Sequence, residues 1–336
     1  MSNKNERPLV SFIVLAYNQE KYIEEAIRGA FAQTYEPLEI ILSDDNSPDK
    51  TFEIMQRLAE EYNGPHKIVL NHNEPNLGIG GHINRVMELS EGEFIVVNAG
   101  DDISLPERTS ELVNVWLKSG REAKSVCSDC HHMDTEGNIY KVGVFKDFNK
   151  LSSPLSILKS DASLLGATHG WDRDIFDVFG NIAPEVVHED HVLAFRSSLI
   201  GKVEYINKPL LMYRDGGISD IYDSKSISER LFSVSLKRSE RRLVDISQNH
   251  NDIIFLANNF RKSFNSNELL EIIESKFYFY EMAMDFSTSN SLKVLILFRG
   301  LYRGSPFKMS IKTYLKYQFP SLYSRYFVAK NSGVNS

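Results

Sequence analysis

Strand-like and helix-like segments alternate through the first hundred residues, and this alternation constrains the fold more than any other feature of the chain. Leu9 to Ala16 is an apolar run with β-branched residues, the pattern of a buried strand. Ile23, Ala26, Ile27 and Ala30 then recur at helical spacing. Leu38 to Leu42 reads as a second strand, and Thr51 to Tyr62 as a second helix with Ile54, Leu58 and Ala59 inward. Lys67 to Leu70 is a third strand, Ile83, Val86, Met87 and Ser90 mark a third helix, and Phe94 to Val97 is a fourth strand. Strands separated by helices of this kind predict βαβ units and a mostly parallel sheet flanked by helices. Ligands of such sheets bind at the carboxyl ends of the strands, where the loops gather.

Three of those loops carry unusual side chains. Tyr17-Asn18 follows the first strand, Ser43-Asp44-Asp45-Asn46-Ser47-Pro48-Asp49 the second, and Asn98-Ala99-Gly100-Asp101-Asp102 the fourth. Ser47 or Asp49 serves as a cap for the second helix. One cap per loop does not account for paired carboxylates in two loops. Like charges brought together are costly unless a cation or a hydrogen-bonding ligand offsets them.

Later segments are less regular. Ser125 to Ser128 reads as a strand, Asp134 to Asn138 as a turn, and Ile139 to Phe145 as an outer strand. Helical patterns fill Leu151 to Lys159 and the region around Arg173 to Phe179, and Val203 to Tyr205 and Leu210 to Tyr213 look like short strands. Residues from Ser224 to Asp285 are mostly helical in pattern. Cys127, Cys130, His131 and His132 are potential zinc ligands, but structural zinc normally takes two separated pairs and no second pair exists. An ordinary strand and turn is the reading of that segment.

The chain has 336 residues with 42% hydrophobic and 25% charged side chains, which excludes general disorder. Its start reads as polar with no signal peptide, and the longest apolar run near its end, Val294 to Phe298, is far below the roughly 20 residues a bilayer requires. Two cysteines form no disulfide framework, so a reducing cytoplasm is the expected location. From Phe286 to Ser336 there is no acidic residue, while Lys293, Arg299, Arg303, Lys308, Lys312, Lys316, Arg325 and Lys330 interleave with aromatics. Within the net charge of -7, a basic tail therefore follows an acidic body. Such a tail suits an anionic membrane surface, with packing on a helical subdomain as the alternative. Nucleic acid is not expected as a partner, because no nucleic-acid fold motif accompanies the tail.

The ordered set of loops resembles family-2 glycosyltransferases with the GT-A fold. The resemblance covers about residues 7 to 215. It rests on Val10 to Asn18, on Asp44-Asp45-Asn-Ser47-Pro-Asp49-Lys-Thr51, on Asn76-Leu-Gly78 with Asn84, on Gly100-Asp101-Asp102-Ile-Ser-Leu-Pro106, and on Glu189-Asp190. It implies an α/β GT-A fold, Rossmann-like, with a C-terminal helical extension. It also implies an inverting transfer of sugar from a UDP-type nucleotide sugar to a hydroxyl of a glycan acceptor. Bacterial surface polysaccharide of the O-antigen type, built on a lipid-linked acceptor at the inner face of the plasma membrane, is the implied setting.

By the same resemblance Tyr17 stacks on the nucleobase and Asp45 accepts from the edge of uracil. Gly78 and Asp102 lie at the donor, and Asp101 ligates a divalent cation, Mg or Mn. Asp190 is the expected catalytic base, with Glu189 as its rival on the acceptor side, where Trp171 either stacks on a sugar or belongs to the core. One departure is clear. Many relatives place an Asp where this chain has Ala99, which puts a ribose or water-mediated contact in doubt. The expected domains are a catalytic domain over 1–220, a helical extension over 221–286 and the basic aromatic tail over 287–336. Two other function classes stay open: a non-catalytic nucleotide-sugar-binding partner, and a nucleotidyltransferase. The second would need a basic, glycine-rich loop after the first strand, and Tyr17-Asn18-Gln19-Glu20 is not one.

Overall fold

The computed structural model describes residues 7–143, 148–160, 164–215, 227–260, 266–288, 296–297, 310–311 and 313–314. The chain divides into two compact units, Met1–Ile221 and Tyr222–Ser336.

In the first unit β1 (Val10–Ala16), α1 (Ile23–Phe31), β2 (Leu38–Asp44), α2 (Thr51–Glu61), β3 (Lys67–His72), α3 (Gly78–Leu89) and β4 (Phe94–Ala99) follow the alternation read from the sequence. β1 and β2 are buried along nearly their whole length, which is why they read as continuous apolar runs rather than alternating ones. There follow β5 (Ile103–Ser104), α4 (Arg108–Lys118), β6 (Ala123–Met133), β7 (Ile139–Val142), α5 (Pro154–Ser160), β8 (His169–Asp172), α6 (Asp174–Phe179), α7 (Glu189–Ile200) and β9 (Lys202–Arg214). One sheet runs in the order β3-β2-β1-β4-β8-β6-β9-β5, with β7 paired to β6.

The four strands β3, β2, β1 and β4 are parallel, and their register sets their carboxyl ends level: Ala16 lies opposite Asp44, Leu15 opposite Ala99, and Asp44 opposite His72. The second half of the sheet differs from a simple βαβ reading. β8 runs antiparallel between β4 and β6, while β6 and β9 are parallel to each other. The two short strands expected over residues 203–213 are one long strand, β9. Its end returns to the site because β5 pairs with it, Ile103 opposite Met212 and Ser104 opposite Leu211.

The second unit contains α8 (Ile227–Asn259) and α9 (Ser266–Thr288), which pack together over Ile246, Ile253, Leu256, Leu269 and Ile273. Leu297 joins Phe279 and Met282 in a small apolar cluster against which Ile296, Ile311 and Tyr314 pack. These described parts of the tail therefore pack on α9. Its eight basic residues, expected at a membrane surface, lie outside the described residues. No described helix is long and apolar enough to cross a membrane.

Candidate functional site

The level ends of β1, β2 and β4 bring three loops together through backbone bonds. Asp45 N–H donates to Ala16 C=O at 2.9 Å, and Gly100 N–H donates to Leu15 C=O at 2.8 Å. The loop after β1 is then clasped to the start of α2. Asn18, in the left-handed region at φ 56°, donates its N–H to Ser47 Oγ, Gln19 N–H donates to Thr51 Oγ1, and Glu20 N–H donates to Asp49 Oδ2. Asp49 also accepts from the first helical amide of α2, Thr51 N–H, so it serves cap and clasp together. Held this way, Tyr17 stays 44% exposed beside the strand ends, an aromatic face open to a ligand.

The first acidic pair is turned inward. Asp44 accepts from Ser47 N–H and bonds His72 Nδ1, both at 2.9 Å. Asp45 is 3% exposed. Its Oδ1 accepts from the Asn73 amide and Leu77 N–H, and its Oδ2 accepts from Gly78 N–H at 3.0 Å. Asp45 is the expected reader of the uracil edge; three donors of its own chain also bond its carboxylate, which fixes the loop that starts α3. Gly78 has φ +69°, a conformation that a residue with Cβ adopts at a cost, and this lets its N–H reach Asp45.

The second pair is different. Asp102 is 1% exposed; its Oδ1 accepts from Arg214 N–H at 2.8 Å, and its Oδ2 is buried with no partner. Burial, and then the adjacent Asp101 charge, push its carboxyl well above the usual carboxylate range. Burial also raises Asp101, against the opposing effects of a hydrogen bond from the Gln19 side chain and of the Arg214 charge. Two neighbouring carboxyls held in a poorly hydrated place, one with an orphaned oxygen, form a setting that a hard cation with oxygen ligands would relieve. The residues fit such an ion. Among the described residues no three His, Cys, Asp or Glu side chains group to hold one alone, so a ligand's oxygens would complete its shell.

Beneath this pair lies Arg108, fully buried, where burial lowers its guanidinium to about 9. It donates to Asn98 Oδ1, Ser104 Oγ, Val97 C=O and Ala167 C=O, joining the end of β4 to residues 166–168. Those residues lead to the acceptor-side acids. A Cβ on Gly166 would stand 2.9 Å from Glu189 Oε1 and 3.6 Å from Asp190 Cβ. Glu189 and Asp190 form the first turn of α7, both half-buried. The segment before them is tied to α3: Gly80 N–H donates to Val186 C=O, while Asn84 and Ile182 exchange two hydrogen bonds. Gly80 is required at this approach, since a Cβ there would meet Ala183 C=O at 2.6 Å.

Of the two readings of Trp171, its burial favours the core. It is 1% exposed on β8, its ring against His169, and offers no open face to a sugar. Cys127 and Cys130 are both buried on β6, where burial pushes the thiols up, Cys130 to about 12. Sequence reasoning passed over Gln19, Arg108 and Arg214.

The profile of glycosyl transferase family 2 matches residues 11–150, the segment that carries Tyr17, Asp45, Gly78, Asp101 and Asp102. That segment belongs to glycosyl transferase family 2. An uncharacterized glycosyltransferase of Methanocaldococcus jannaschii is 32% identical over 143 residues, which cover 42% of this chain and 48% of the relative. The chain thus spans about half the length of this relative. Two solved structures share the fold. S. aureus TarS 1–349 in complex with UDP-GlcNAc matches with TM-score 0.54 and 16% identity, over 92% of this chain and 91% of that one. A mannosyltransferase of Pyrobaculum calidifontis in complex with GDP-Man and Mn2+ matches with TM-score 0.53, over 94% and 89%. The fold is that of GT-A, and the matched segment takes in its parallel half and runs on through β6 and β7.

Proposed function

We propose that the protein transfers a sugar from a nucleotide sugar to an acceptor hydroxyl with inversion at the anomeric carbon. The observation that carries this reading is the placement of two acidic groups around the end of β4. Asp101 and Asp102 lie in the loop that leaves β4, and Glu189 and Asp190 are held beside it through Gly166, Ala167 and Arg108. In this reading the first pair faces the donor diphosphate, and the second faces the acceptor.

Tyr17 stacks on the nucleobase, since a π-face accepts any base. Gly78, at the start of α3, lines the donor side. Asp101 holds a divalent cation, Mg or Mn, which when bound neutralises charge on the departing diphosphate. Asp190 accepts the proton of the acceptor hydroxyl as its oxygen attacks the anomeric carbon. The new carbon–oxygen bond forms while the bond to the diphosphate oxygen breaks, and that oxygen keeps the electron pair. A single displacement of this kind inverts the centre. Glu189 shares the same helical turn and is the competing base.

The choice of nucleotide and acceptor is a finer proposal. A UDP sugar is the first candidate donor, from the resemblance; the related folds hold UDP-GlcNAc in one case and GDP-Man in the other. A glycan acceptor on a lipid carrier, and a role in surface polysaccharide assembly at the inner face of a membrane, agree with the run of basic residues from Lys293 to Lys330. The direct test is nucleotide release from a panel of UDP and GDP sugars, with Mg2+ or Mn2+ and with a chelator. Release that needs the metal supports the reading. Binding of nucleotide sugar with no release or transfer against any acceptor favours a binding partner instead.

A further inference from the structure

Arg214 is heavily engaged at the site, and nothing in the proposed chemistry uses it. It ends β9 and is 3% exposed. Its backbone N–H donates to Asp102 Oδ1 at 2.8 Å, and its Nε donates to Asp101 C=O at 3.0 Å. Nη1 donates to Asp134 C=O at 3.3 Å and Thr135 C=O at 3.2 Å. Nη2 donates to Glu25 Oε2 at 2.6 Å, and the guanidinium carbon stands 4.4 Å over the Tyr22 ring. A single residue thus binds the backbone of one acid and the side chain of the next, and it anchors both to α1 and to the turn between β6 and β7.

Burying an arginine is costly unless its donors find acceptors. Here four of its five side-chain N–H groups do, so at most one is left for a phosphate and the residue is held mainly by its own chain. Its contribution is to place other groups. The peptide between Asp101 and Asp102 has few remaining freedoms: the Asp101 carbonyl is held by Nε and the Asp102 carboxylate by the main-chain N–H. The Asp101 side chain alone is left to aim, and the Gln19 side chain hydrogen-bonds it. A planar fork suits this task better than an ammonium, because its donors have fixed directions.

We infer that Arg214 is a positioning residue for Asp101, clamping the Asp101–Asp102 turn so that the Asp101 carboxylate is preorganised for a divalent cation. The inference rests on the reading of this site as a cation and nucleotide site. Preorganisation is worth affinity because the ordering is complete before the ligand arrives. Loss of the clamp leaves Asp101 in place but loosely aimed, which weakens the metal and leaves stacking of the base on Tyr17 untouched.

The test is titration calorimetry of Mn2+ with UDP, and in parallel with GDP, on the full chain. Arg214→Lys keeps the main-chain bond to Asp102 and the charge but loses the fork. It should raise the Kd for the Mn2+–nucleotide pair about tenfold or more, with binding of the nucleotide in chelator unchanged and the melting temperature near that of the wild type. Glu25→Ala removes the partner of Nη2 from an exposed position and should shift the same Kd in the same direction by less. This second variant decides the matter if Arg214→Lys fails to fold. A wild-type Mn2+–nucleotide affinity in both variants overturns the inference and leaves the functional reading standing. A wild type that binds neither UDP nor GDP in a Mn2+-dependent way overturns the functional reading, and the inference with it.

Discussion

Gln19 Oε1 lies over Gly100 so closely that a Cβ at position 100 would overlap it. Ala16 Cβ and Ile23 Cδ1 stand 2.9 Å and 3.0 Å from the same point, so the space beside Asp101 is filled as tightly as a core. Gly100→Ala must therefore expel the flexible end of Gln19, which hydrogen-bonds Asp101. The folding cost should be about 1–3 kcal/mol, because the end of Gln19 yields easily but Ala16 Cβ is fixed to β1. Metal-dependent nucleotide binding should fall by more than that stability loss accounts for. Paired urea denaturation and Mn2+–UDP calorimetry check this; equal binding by the variant would show that Gln19 does not support Asp101.

Asp45 gives the opposite balance. Its carboxylate accepts from Asn73, Leu77 and Gly78, so Asp45→Ala leaves three donors short of an acceptor at the start of α3. Bonds to a charged acceptor contribute about 1.5–3 kcal/mol each, with part of that recovered by water at this partly exposed loop. A net loss of about 2–4 kcal/mol in urea denaturation is expected. A variant as stable as the wild type would show that these bonds contribute little to the fold, and impaired uridine binding in it would leave base reading as the role of Asp45.

The parallel half of the fold was legible because β1, β2 and β4 are buried along their length, and continuous apolar runs between helical repeats have few other readings. β8 was not, since His169-Gly170-Trp171-Asp172 carries no period, and its place between β4 and β6 depends on partners far along the chain. The same reason left both readings of Trp171 open: an aromatic in a polar segment suits a sugar platform or a core until a strand pairing buries it. The acidic loops were legible as a place but not as roles. Asp45 and Asp101 look alike in sequence, and only the donors around them separate a turn fixture from a site with an unsatisfied oxygen beside it. Arg108 and Arg214 were invisible for a general reason, because charged residues are expected at the surface unless their acceptors are known.

His169 supplies a pH dependence with a definite sign. Burial, and then the Arg108 charge, lower its imidazole to about 3, while an unfolded histidine titrates near about 6.5. The folded protein therefore refuses a proton that the unfolded chain takes up, and stability is lost as pH falls below about 6.5 and unaffected above it. The loss attributable to His169 between pH 7 and pH 5 should be about 2 kcal/mol. His169→Gln should flatten that part of the acid slope in urea midpoints measured at the two pH values. An acid slope equal to that of the wild type would mean that His169 is solvated or protonated in the folded state.

The central claim, that this is a transferase whose acceptor proton goes to the first turn of α7, is tested most directly at Asp190. Asp190→Asn keeps the shape of the side chain but cannot take a proton at neutral pH. Donor affinity measured by calorimetry should stay within about twofold, while the turnover number for transfer falls by on the order of 10²–10⁴. Glu189→Gln, one residue away in the same turn, should retain most of the rate. The account is contradicted if Asp190→Asn transfers sugar at the wild-type rate, or if Glu189→Gln alone abolishes transfer.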